Sequence, residues 1–152
     1  MHNLKIDIVS DLHFDAHFNK LFDNPADLKI AYNFYDSYFL NREADTLIIA
    51  GDIGHINRQN INLLKMFRQR YYEHIVMVAG NHDYLLYNKR GDGKVYKNSF
   101  ERINDFKIKI NETDGLYFLD GDVININGIR IGGSMGWYDG KYTLKHLHHF
   151  IL

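Results

Sequence analysis

Three short polar clusters in this sequence have the residue types and spacing of a metal site. Asp11-Leu12-His13 offers a carboxylate and an imidazole two residues apart. Gly51-Asp52 offers a second carboxylate behind a glycine, and Gly80-Asn81-His82-Asp83 offers an amide, an imidazole and a third carboxylate in a row. Alternate side chains of an extended segment point the same way, so Asp11 and His13 are expected to grip one cation from one side. Taken singly, Asp-x-His and Gly-Asp are ordinary loop chemistry, since turns favour Asp and Gly. Taken together they are not, because each cluster directly follows its own apolar run.

Those runs are the elements that must position the clusters. Leu4–Val9, Leu47–Ala50 and Ile75–Ala79 are short, apolar and bounded by polar or glycine residues, as strands buried on both faces would be. Open α/β sheets place their ligand sites at the carboxyl ends of the strands, so the three ends are expected to meet at one site. Between the runs the period is helical. Asn24-Pro25 reads as a helix start, with Leu28, Ala31, Tyr32, Tyr35 and Phe39 following at helical spacing and the helix fading near Glu43. Asn57 or Asn60 is expected to cap a second helix that buries Ile61, Leu64, Phe67 and Tyr71. Asn98 with Glu101 resembles a capping box, followed by Phe100, Ile103, Phe106 and Ile110. The alternation Lys107-Ile108-Lys109-Ile110 leaves the end of that helix open. Residues 10–24 and 84–97 read as loops. After Gly115 the period falls to two: Leu116–Leu119 reads as a strand, and Val123–Ile126 and Ile129–Ile131 flank Asn127-Gly128, a strong hairpin signal.

The chain has 152 residues, enough for one domain with a real core, and neither a repeat nor a linker divides it. It contains no cysteine, which excludes disulfides, thiolate zinc sites and a cysteine nucleophile. A metal would have to be held by His, Asp, Glu, Asn or water, donors that suit harder cations. The net charge of −1 supplies no global field for nucleic acid. No secretion signal and no apolar stretch of membrane-spanning length is visible, so a cytoplasmic, soluble protein is expected.

On these motifs the sequence resembles the calcineurin-like metallophosphoesterase family, whose Asp-x-His, Gly-Asp and Gly-Asn-His-Asp/Glu signatures match Asp11-Leu12-His13, Gly51-Asp52 and Gly80-Asn81-His82-Asp83. The resemblance runs from residue 4 to about 137, where Ile129–Trp137 is similar to the strand that follows the family's hairpin. It implies an α/β fold of two facing sheets flanked by helices, an α/β/β/α sandwich. It implies two divalent metal ions, with manganese, iron, zinc and magnesium all open, and a phosphomonoester or phosphodiester as substrate. Nucleic acid enters only as such a substrate. By the same likeness Asp11 and His13 bind the first metal, Asp52 bridges both, and Asn81 binds the second. His82 lies beside the phosphate as acid or charge stabiliser. The physics suits these roles, since two cations roughly 3.5–4 Å apart offset the charge that makes a phosphate ester resist attack.

The sequence departs from the family in two places. In the protein Ser/Thr phosphatase branch an aspartate stands three residues after the bridging one and supports the catalytic histidine. Here that position is His55, and the arginine after it is absent too. Asp83 is then the near candidate to support His82. The family's later histidine motifs, including Gly-His-x-His, are also absent. His146, His148 and His149 read as a solvated tail. The domain is therefore expected to be truncated at its C-terminus, with too few ligands for a second metal. An open apolar sheet face would then favour a homo-oligomer or a covering partner. The alternative function is a weak or inactive metal-binding remnant acting through a partner. A plain nucleotide-binding domain is disfavoured, because no glycine-rich phosphate loop follows any strand. His2, His17, His55 and His74 read as surface or loop residues, Asp15 as a loop residue, Tyr84 and Tyr87 as packing, Trp137 as core, and the basic loop 89–97 as solvated.

Overall fold

In the computed structural model, which describes residues 4–86 and 95–136, four apolar runs pair as a parallel sheet. Its order is β1 (Ile6–Val9), β2 (Thr46–Ala50), β3 (His74–Val78) and β4 (Leu116–Phe118). The register is continuous: Ile8 lies opposite Ile48, Ile48 opposite Val76, and Val76 opposite Tyr117. Each crossover carries a long helix: α2 (Pro25–Phe39), α3 (Asn57–Arg70) and α4 (Ser99–Asn111). Right-handed crossovers that always step in one direction put every helix on the same face of the sheet. The core is built that way. Leu47, Ile49, Ile75, Met77, Leu116 and Phe118 form one cluster with Tyr35, Phe39, Leu64, Phe67, Phe106 and Ile110. The alternate strand residues Ile48, Val76, Val78 and Tyr117 turn the other way. They pack with Ile124, Ile126 and Ile131 of an antiparallel hairpin, β5 (Asp122–Ile126) and β6 (Ile129–Gly133). Helices, parallel sheet and second sheet thus lie in successive layers, as the α/β fold class expected from the sequence requires.

Local chemistry explains several element ends. Asn24 accepts the Asp27 N–H at 3.0 Å and Pro25 opens α2, so the expected cap is present. Asn98 accepts the Glu101 N–H at 2.9 Å, while Glu101 reaches back to the Lys97 N–H at 2.7 Å, one residue earlier than a reciprocal box. At the hairpin turn Asn127 and Gly128 both have positive φ, 51° and 87°.

Several expectations are corrected. α3 begins behind Ile56, and neither Asn57 nor Asn60 caps it. Asn57 donates instead to the Arg102 carbonyl at 2.8 Å, and Asn60 to the Gly54 carbonyl at 2.8 Å. Phe100 does not join the core; it is 76% exposed, and Arg102 is buried on α4 at 1%. α4 continues through Lys107–Ile110 to Asn111, and α2 ends at Phe39. The loop 10–24 contains one helical turn, α1 (Phe14–His17), whose Phe14 is fully buried. His2, Tyr87, most of the loop 89–97, Trp137, His146, His148 and His149 lie outside the described residues. No helix among the described residues is long and apolar enough to cross a membrane.

Candidate metal centre

The carboxyl ends of β1, β2 and β3 are neighbours, so the segments leaving them run side by side. The chain after β1 is tied to the chain after β2 residue by residue. Asp11 N–H donates to the Gly51 carbonyl at 3.2 Å, His13 N–H to Asp52 at 3.0 Å and Phe14 N–H to Ile53 at 2.8 Å. This segment is not the extended one the Asp-x-His spacing suggested. Asp11 and His13 both sit at positive φ, 56° and 39°, and so does Asp52 at 56°. These are three of the five non-glycine residues with positive φ among the described residues, the others being Phe22 and Asn127. That conformation is uncommon outside glycine, and Asp and His are among the residue types that adopt it most readily. In this arrangement the ligand atoms of Asp11, His13 and Asp52 all lie within 4.8 Å of one another. His13 Nε2 is 3.9 Å from Asp11 Oδ1.

The third segment completes the arrangement from the β3 side. His82 N–H donates to Asp52 Oδ1 at 2.8 Å, which fixes the buried carboxylate. The His82 ring meets the His13 ring edge to face, with centroids 5.2 Å apart. Asn81 precedes it, exposed, on the one-turn helix His82–Tyr84 that its backbone caps. Two glycines allow these segments to touch. A Cβ on Gly51 would stand 2.6 Å from Gly80 Cα, and a Cβ on Gly80 would stand 2.2 Å from Asp52 Oδ1.

Asp83 does not reach for the His82 ring, as the sequence suggested. Its carboxylate is 2% exposed and accepts backbone N–H groups from Asp52 (2.8 Å), Ile53 (3.0 Å), Gly54 (3.5 Å) and Gly80 (2.8 Å). Burial pushes this carboxyl above its ordinary value, and the N–H bonds from Gly80, Ile53, Asp52 and Gly54 pull against that rise. Asp83 therefore serves the centre by holding the Asp52 loop. Arg102 supports the same loops from α4. Its guanidinium donates to the carbonyls of Asp83, Leu85 and Gly54.

Two residues that read as plain loop positions also belong to the centre. His55 Nδ1 lies 2.9 Å from Asp15 Oδ2, and His55 N–H donates to Asp15 Oδ1 at 3.1 Å. The His55 ring lies 6.3 Å from that of His13, nearly parallel, and 5.8 Å from that of His82. Burial raises the Asp15 carboxyl, but the His55 bonds outweigh it and hold the group below its ordinary value. A visible signal existed in the spacing, because Asp15 and His55 follow His13 and Asp52 by two and three residues. Arg102 had one too: it shares a helical face with Phe106 and Ile110, an odd place for a guanidinium unless it is buried with partners. Of the other histidines, His17 is exposed and packs near Phe34, and His74 is half-buried beside Tyr117.

The donor set is two carboxylates and one imidazole with a third carboxylate behind the loop, which fits a divalent cation of the harder or borderline kind. Comparison with protein families agrees with this chemistry. The family model for the calcineurin-like phosphoesterases matches residues 4–149. No curated protein matches the chain.

Proposed function

This chain belongs to the calcineurin-like phosphoesterase family, and from that premise we propose that it hydrolyses a phosphomonoester or phosphodiester at a pair of divalent metal ions. The observation that carries the reading is the convergence of Asp11, His13 and Asp52 within 4.8 Å at the ends of adjacent strands, with the His82 ring beside them. In this reading Asp11 and His13 hold one ion, Asp52 is shared, and Asn81 holds the other. Bound there, the ions would offset the charge of the phosphoryl group and activate water for in-line attack. The rest falls to the chain. Asp52 keeps its place because His82 N–H and, behind the loop, Asp83 fix it. The His82 imidazole faces the phosphoryl group, where it stabilises developing charge or gives a proton to the leaving oxygen.

The test is hydrolysis of aryl phosphate monoesters and diesters by the full chain with added manganese and with chelator. Turnover should require the metal. His82→Ala should lower turnover about 10²–10⁴-fold, the usual worth of a positioned acid–base group, with metal content unchanged. Asp52→Asn should lose metal as well as turnover. Loss of metal in His82→Ala with turnover preserved would reverse the assignment.

One observation favours a second reading. Among the described residues the grouped ligands suffice for one ion, Asp11, His13 and Asp52, and only Asp52 and Asn81 are proposed for the other. A chain that fills one position and works poorly alone would act through a partner or a second copy. A metal stoichiometry of one with negligible turnover, and association seen by light scattering, would favour this reading over the first.

A further inference from the structure

His55 is built into the centre more firmly than a loop histidine needs to be. Asp15 takes both its backbone N–H and its ring nitrogen Nδ1, at 3.1 and 2.9 Å. The peptide before it is pinned as well, because the Gly54 carbonyl accepts from Asn60 and Arg102. Gly54 itself, at φ 152°, has no room for a side chain: a Cβ would stand 2.9 Å from Asp15 Oδ1 and 2.7 Å from Asn60 Oδ1. Backbone, ring orientation and ring position of His55 are thus all set by neighbours. Holding one nitrogen of an imidazole on a carboxylate sets the tautomer and orientation of the ring.

The ring lies beside those of His13 and His82. The three centroids form a triangle with sides of 5.2, 5.8 and 6.3 Å. His55 is not part of the grouped metal ligands, which are Asp11, His13 and Asp52. A phosphoryl group drawn to ions at those ligands would sit against the imidazoles that flank them. We propose that His55, oriented by Asp15, is a third imidazole of the active centre that hydrogen-bonds the phosphoryl oxygens of the substrate beside His82. The proposal rests on the phosphoesterase reading above. In it Asp15 is a positioning residue that acts through His55, and His55 stands where the protein Ser/Thr phosphatase branch of the family has an aspartate.

Two amide substitutions separate the two ends of the ring. In His55→Asn the amide nitrogen lies near the place of Nδ1, so the Asp15 bond survives while the far nitrogen is lost. In His55→Gln the amide reaches toward the place of Nε2 without the Asp15 bond. Binding of inorganic phosphate to the manganese-loaded full chain, measured by calorimetry, is the primary readout, with metal content and thermal unfolding beside it. His55→Asn should fold and hold metal as the parent does but bind phosphate roughly 10–100-fold more weakly, the worth of a hydrogen bond to a charged group. His55→Gln should keep more of the affinity, and Asp15→Asn should lie between. In hydrolysis the loss should fall mainly on KM. A His55→Asn protein that binds phosphate like the parent overturns the proposal alone. So does one that loses metal, since His55 would then be a ligand. A parent chain that binds neither manganese nor phosphate overturns the phosphoesterase reading, and this proposal with it.

Discussion

A carboxylate that gives up its water must be met by donors, and Asp83 is met by four backbone N–H groups. That sets the first prediction. Oδ2 takes the N–H groups of Asp52 and Gly80, and Oδ1 those of Ile53 and Gly54. In Asp83→Asn one of the two atoms becomes a donor, whichever way the amide turns, and it faces N–H groups it cannot accept from. A buried donor left without an acceptor costs about 1–3 kcal/mol. Asp83→Asn should therefore lose at least that much stability in urea unfolding and bind manganese more weakly, because the Asp52 loop is what loosens. Unchanged stability and metal affinity would show that the four bonds are dispensable. Only part of this site was legible in the sequence. Asp11, His13 and Asp52 announced themselves as ligand-type residues directly after apolar runs. The job of Asp83 did not, because a carboxylate next to a histidine reads as its partner until the backbone of another loop claims it. His55 was read as a plain loop residue, because its partner Asp15 is 40 positions away in sequence.

At the level of elements, the centre exists because strand ends approach more closely than side chains permit. Gly51 and Gly80 meet backbone to backbone, and a methyl group on Gly80 would overlap the Asp52 carboxylate. Gly80→Ala should accordingly displace Asp52 and abolish tight metal binding, while the distant helices keep their content. Metal titration together with far-ultraviolet circular dichroism checks this; tight binding retained would mean the loops can part without harm. Strands and helices themselves were readable, because a period of two or 3.6 reports which face is buried. β2 and the α2 cap fall where the pattern put them. Phe100 failed for a reason the pattern cannot see. Phe100 lies beyond one edge of the helical face that buries Ile103, Phe106 and Ile110, and Arg102 takes the opposite edge, from which it reaches the site loops. Asn57 and Asn60 failed similarly, each taken from capping by a carbonyl outside its own helix.

At the scale of the molecule, the strand order 1-2-3-4 does not reverse among the described residues. The site is therefore not at a reversal point of the sheet, where open α/β folds commonly bind ligands, but across three consecutive ends. The same order places the three described long helices on one face, so their mutual attachment contributes to the stability of the domain. α2 and α3 are joined by Asp36. It accepts from Arg70 through two bonds at 2.7 and 2.6 Å and from the Tyr71 hydroxyl at 2.7 Å, while the Arg70 guanidinium lies 4.6 Å over the Tyr32 ring. Chiefly through the Arg70 bonds and then that of Tyr71, the Asp36 carboxyl is held down at about 2. An unfolded chain would release it to about 3.9. A folded-state value below the unfolded one stabilises the protein fully above the unfolded value, and the benefit is lost as pH falls toward the folded one. Thermal unfolding of the metal-free chain and of Asp36→Asn, followed from pH 7 down to pH 2, should show this directly. The variant should melt lower at neutral pH, and the gap should begin to close near pH 4 and nearly vanish by about pH 2. Other carboxylates titrate in both proteins and cancel in the difference. A gap that stays constant across that range would mean that Asp36 joins the helices by its shape rather than by its charge.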